Sequence, residues 1–205
     1  MRYLLKYGAP SLLLLLALSS CRKEPVYDVV PEIEFRRVEQ YHFVDTPFPQ
    51  RPDITSLRDS LVLVIGFKDG DGNLGLSSNR DSEDFQPPFN EGSQYEQNFH
   101  TVMYIKVQDP NNPSNSRFEP YPFPVPGFQF SGRFQRLSAD DRPEPLEGEI
   151  KYSINEINAS EFPLLRPGAV IKFDIYIYDR TTPVPNRSNV VTTDEITLFQ
   201  PAVGG

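Results

Sequence analysis

Apolar and polar residues alternate with a period of two along most of this chain, and no helical period replaces that alternation. "VIKFDIYIYD" (Val170 to Asp179) is the clearest stretch: Ile171, Phe173, Ile175 and Ile177 share one face, and Lys172, Asp174, Tyr176 and Tyr178 the other. Successive side chains of a strand point to opposite faces, so this pattern predicts a strand with one face in a core. "EIEFRRV" (Glu32 to Val38), "TVMYIKV" (Thr101 to Val107), "GEIKYSI" (Gly148 to Ile154) and the closing "NVVTTDEITLF" (Asn189 to Phe199) read the same way. "FQFSGRFQRL" (Phe128 to Leu137) is a weaker strand, interrupted by glycine. "SLVLVIGF" (Ser60 to Phe67) is apolar on both faces, which predicts a central strand buried on both sides.

Clusters of Pro, Gly, Asn and Asp separate about seven such strands. The expectation is an all-β fold, an antiparallel β-sandwich of immunoglobulin-like character over residues 31–205. The chain has no tryptophan and one cysteine, so neither the Cys–Trp–Cys signature nor an internal disulfide is available; 10 Tyr and 15 Phe supply the rings for a packed core. Two long loops interrupt the pattern. Residues 77–99 are polar, and loops of that length are functional or disordered more often than not. Residues 108–127 end in "YPFPVPG", a proline alternation that predicts a polyproline strap across a surface.

The N-terminus predicts export. Arg2 and Lys6 precede the short apolar run "SLLLLLAL", too short to span a bilayer and followed by "LSSC". That ending resembles the lipobox of bacterial lipoproteins, which implies cleavage after residue 20 and acylation of Cys21. Residues 21–30 are polar and proline-containing, a tether to the membrane. The expected location is the cell envelope, lipid-anchored, at the outer membrane. A net charge of -8 without a basic run excludes nucleic acid as a partner.

The order "PEIEF", "SLVLVIGFKDGDGNLGL", "GEIKYSI", "IKFDIYIYDR", "NRSNVVTTDEI" resembles a group of Bacteroidota lipoproteins. Those proteins carry a DGDGDLG-like turn after an early strand and an SN-x-V-x-T-x-E-I-like ending. The resemblance implies export, a lipid anchor and an immunoglobulin-like fold, and adds little about activity. Asn73 stands where the family pattern has a third aspartate.

"FKDGDGNLGL" (Phe67 to Leu76) is the main candidate for chemistry. Asp69, Asp71 and Asn73 have the one-three-five spacing of calcium ligands, and calcium prefers several carboxylate and carbonyl oxygens. Against an EF-hand loop the stretch fails at Leu74, where glycine belongs, and at Arg80, where a bidentate glutamate belongs. Further donors would have to come from Asp81, Glu83 or Asp84. The competing reading is a turn whose glycines supply positive φ at a strand end.

Tyr121, Phe123 and Phe128 of the strap, and Tyr176 and Tyr178 on the outer face of the strongest strand, are candidate binding residues for a glycan or an envelope protein. The alternatives are a strap whose rings plug the sandwich and a sheet face covered by a long loop. His42 and His100 have no metal-ligand spacing, no nucleophile elbow occurs, and Asp140/Asp141 sit beside arginine in a surface loop. "DSL" (Asp59 to Leu61) resembles a site of O-glycosylation on Ser60, placed at the mouth of a strand. The reading is a non-catalytic binding or scaffolding domain. Its alternatives are a calcium-dependent adhesion or glycan-binding module and, after that, an envelope hydrolase.

Overall fold

The computed structural model describes residues 25–45, 56–109, 111–138, 142–162 and 164–200. The export signal, Cys21 and Asp140/Asp141 lie outside them. Eight strands form: β1 (Glu32–Asp45), β2 (Ser56–Asp69), β3 (Phe99–Asp109), β4 (Asn112–Pro120), β5 (Leu146–Asn158), β6 (Val170–Ile177), β7 (Val191–Thr192) and β8 (Ile196–Thr197).

They make two antiparallel sheets. One has the order β1-β2-β5; the other has the order β4-β3-β6-β7, with β8 also on β6. Lettered along the chain, these are A-B-E facing C-F-G, the strand order of an immunoglobulin-type sandwich. Of the other two strands, β4 lies beside C and β8 lies on F.

The two inner faces meet as the alternation predicts. Leu61, Leu63 and Ile65 of β2 and Phe173, Ile175 and Ile177 of β6 have no exposed surface. Phe99 stacks on Tyr152 of the opposite sheet, with centroids 4.1 Å apart. β2 is the centre of its sheet, and Val64 is fully buried on the outer side.

Three expectations change. The loop expected over 108–127 contains β4, which pairs with β3 from Tyr104–Pro120 to Asp109–Asn112. The alternating prolines begin only where β4 ends. "FQFSGRFQRL" does not build a ladder; it divides its backbone bonds between two partners. Gly132 bridges Phe99, while Phe134 and Leu137 bond Leu76 and Leu74. The closing strand splits into β7 and β8 at Thr193, whose hydroxyl takes the Phe173 amide at 3.0 Å in place of a backbone carbonyl.

The insertion 77–99 is ordered around two arginines. Arg133 donates to the carbonyls of Glu96, Asp84 and Phe89, and its guanidinium lies 4.0 Å over Phe85. Arg136 grips both oxygens of buried Asp84 at 2.7 and 2.8 Å. Ser60, expected at a strand mouth, lies within β2 opposite Tyr41.

Candidate metal centre and aromatic face

β2 ends at Asp69, and the chain then crosses from the first sheet to the second: Leu74 bridges Asp179, which follows β6. The crossing is tight. Gly72 and Gly75 take φ of 68° and 92°, so the turn reading holds at both positions. A Cβ on Gly72 would lie 2.6 Å from the Glu144 carbonyl oxygen, and one on Gly70 would lie 2.6 and 2.7 Å from the carbonyl oxygens of Tyr27 and Asp28.

Asn73 organises the polar groups. Its backbone N–H donates to Asp69 Oδ2 at 3.1 Å, and its side-chain Nδ2 donates to Asp71 Oδ2 at 2.9 Å and to Thr181 Oγ1 at 3.2 Å. One oxygen of each side chain is left over. Asp69 Oδ1, Asp71 Oδ1 and Asn73 Oδ1 are buried with no hydrogen-bond donor, and Asp69 has no exposed surface at all. A buried acceptor without a donor costs about 1–3 kcal/mol, more if it is charged. Three from one five-residue stretch call for a cation or a proton.

The electrostatics agree. Burial raises the Asp69 carboxyl to about 7, the charges of Asp71 and Asp179 push the same way, and the amides of Asn73 and Gly72 pull back. Asp71 is raised too, by burial and then by Asp179. Without a cation, Asp69 is therefore divided between acid and carboxylate near neutrality. A divalent cation would neutralise both aspartates and fill the orphaned lone pairs.

Asp179 is the residue that the sequence left unnoticed. It is 1% exposed, and its carboxylate accepts from the Thr181 and Asn186 amides, Thr181 Oγ1 and Asn186 Nδ2, at 2.7–3.0 Å. Those four donors fix its side chain beside the loop. Among the described residues no group of three His, Cys, Asp or Glu side chains is placed to hold a metal. The donors here are of a different kind: two carboxylates, one amide oxygen and neighbouring backbone carbonyls. The extra ligands expected from the insertion do not arrive. Asp84 is committed to Arg136 and the Ser77 amide, while Asp81 and Glu83 are exposed.

Two of the three strap rings turn inward. Tyr121 is 4% exposed, and Phe123 packs edge-to-face against Tyr121, Phe128, Phe130 and Phe162 at 4.9–6.0 Å. This corrects the assignment of Tyr121 and Phe123 as ligand-facing rings: together they plug one end of the sandwich, and of the three candidate rings only Phe128, at 41%, keeps substantial exposure.

Tyr176 and Tyr178 remain half-exposed on the outer face of β6 and its extension. His100 stacks on Tyr176 at 4.8 Å and meets Tyr178 edge-on at 5.3 Å. Tyr95 of the insertion closes on Tyr178 at 5.0 Å, and Arg187 lies 3.9 Å over Tyr176. The insertion thus borders this face without covering it. Burial and the Arg187 charge hold His100 below the usual histidine value, with the Gln97 carbonyl opposing them.

His42 is not free either. Its Nδ1 lies 2.7 Å from Asp59, whose other oxygen receives the amides of Gln40 and Phe199, fastening the C-terminal segment to β1 and β2. Comparison with family models, curated proteins and solved structures returned no match.

Proposed function

We propose that this protein is a lipoprotein of the cell envelope, anchored through Cys21 at the outer membrane, whose β-sandwich works by binding or scaffolding rather than by catalysis. A calcium ion on the Asp69–Asn73 loop is part of the working fold. One observation carries the calcium reading: Asp69 is fully buried with a donorless Oδ1, next to the donorless oxygens of Asp71 and Asn73. The "LSSC" ending and the resemblance to Bacteroidota lipoproteins support the anchor.

The binding face that the geometry favours is the aromatic patch of His100, Tyr176, Tyr178 and Tyr95 beside Arg187. Half-exposed rings with a cation at their rim suit a glycan or an envelope protein. Fractionation of cells expressing the full chain tests the anchor. The wild type is expected with the membranes, and Cys21→Ala in the soluble fraction; equal membrane retention of the two would refute it. Calorimetric titration of the chelator-treated domain with calcium tests the loop.

A further inference from the structure

The first described residues of the tether do not hang free. Tyr27 donates from its hydroxyl to Glu147 of β5 at 2.6 Å, and Lys68 sits 5.8 Å over its ring. The backbone here lies so close to the loop that Gly70 can carry no side chain, because a Cβ would run into the carbonyl oxygens of Tyr27 and Asp28. Asp28 then caps its own turn by accepting from the Val30 amide. Two backbone carbonyls of the tether and one of Glu144 therefore lie against the two glycines that flank Asp71.

Calcium takes six to eight oxygens and accepts backbone carbonyls readily, whereas the loop itself offers three donorless side-chain oxygens. We infer that the ion binds between the loop and the tether, taking Asp69, Asp71 and Asn73 from one side and carbonyls at Tyr27 and Asp28 from the other, so that calcium locks the membrane-proximal tether onto the sandwich. This rests on the calcium reading above and extends it from a stabilising site to a clamp.

The consequence is geometric. Cys21 is six residues before Tyr27, a leash of about 20 Å at full extension, and eleven residues before Glu32, the start of β1, a leash of about 36–40 Å. With the clamp closed, the domain is held within the shorter leash of its lipid anchor. With it open, the domain swings on a leash nearly twice as long, and the aromatic face reaches farther from the membrane.

The test is hydrogen exchange on the chain from Arg22 to Gly205, with calcium binding measured by calorimetry on the same sample. Exchange at the amides of Tyr27 to Val30 is compared in chelator and in calcium. The clamp predicts that calcium slows these amides by about tenfold or more. In Asp69→Asn, a near-isosteric change that keeps the turn, calcium should neither bind nor slow them. If calcium binds and the tether amides exchange at unchanged rates, the clamp is wrong and the loop site stands alone. If calcium does not bind at all, the site and the clamp fall together.

Discussion

Asn73 Nδ2 holds Asp71 Oδ2 at 2.9 Å, and this one hydrogen bond leaves the remaining oxygen of each residue buried without a donor. The amide matters because a carboxylate at position 73 would have no hydrogen to give. Asn73→Asp should therefore lower the stability of the chelator-treated protein by about 1–3 kcal/mol, the cost of an unpaired buried polar group. It should also enlarge the stabilisation that calcium confers, since ligand charge raises affinity. Paired melts in chelator and in calcium would read both effects. A variant that melts like the wild type in chelator would show that the hydrogen bond carries no weight.

The Asp84–Arg136 pair should hold the insertion in place. Asp84→Ala removes the buried carboxylate that takes Arg136 and the Ser77 amide, and is expected to cost about 1–3 kcal/mol. Proteolysis should then cut first within residues 77–99. If denaturant melts show under about 1 kcal/mol, the pair behaves as a surface ion pair and the insertion is held by its other contacts, Arg133 among them.

Acidification of the calcium-free protein should have opposing effects: Asp69, raised to about 7, and Asp71, also raised, add stability as the pH falls from about 7 toward 3.8, while two other groups take stability away. His100 has a folded pKa below its unfolded value, so its contribution is present above about 6.5 and is lost as the pH falls from there toward the folded value. Asp84 is raised by burial, but the Arg136 guanidinium and the Ser77 amide more than offset this and leave it lowered. Its contribution is present above about 3.8 and disappears below that. Urea melts of calcium-free Asp69→Asn between pH 8 and pH 3, where the opposing gain from Asp69 is removed, should show both losses. His100→Gln should remove the first and leave the second.

The two aromatic groups should separate by what they affect. Phe123→Ala removes the ring shared by four neighbours in the plug and should cost about 3 kcal/mol. Tyr176→Ala on the outer face should cost about 1 kcal/mol or less and should weaken capture of glycans or envelope proteins. A larger stability loss at Tyr176 than at Phe123 would reverse the two assignments.

The sandwich was legible because burial on one face of a strand forces a period of two, and β6 shows that period over its whole length. The β4 hairpin was not legible. "NPSNSRFEP" has no apolar alternation, and it pairs at a sheet edge through backbone bonds that any residue except proline can donate. At the loop, Asp69, Asp71 and Asn73 stood out by spacing, whereas Asp179, which raises both aspartates, is over a hundred residues away and carries no local signature. Nor did composition tell Tyr121 and Phe123 from Tyr176 and Tyr178. Which rings point inward depends on where the strap turns after Pro120, and proline alternation alone does not fix that.

Calcium occupancy of the Asp69–Asn73 loop is the claim on which most of the rest depends, and a thermal melt tests it directly. The chain from Arg22 onward would be stripped with a chelator and melted with and without about 1 mM calcium, with magnesium as the control. A site filled at a hundred times its dissociation constant adds about 2.7 kcal/mol. The account predicts an upward shift of several degrees with calcium, little with magnesium, and none in Asp69→Asn. Coincident melts for the wild-type protein in chelator and in calcium would contradict it and leave the donorless oxygens of Asp69 and Asp71 to a shared proton.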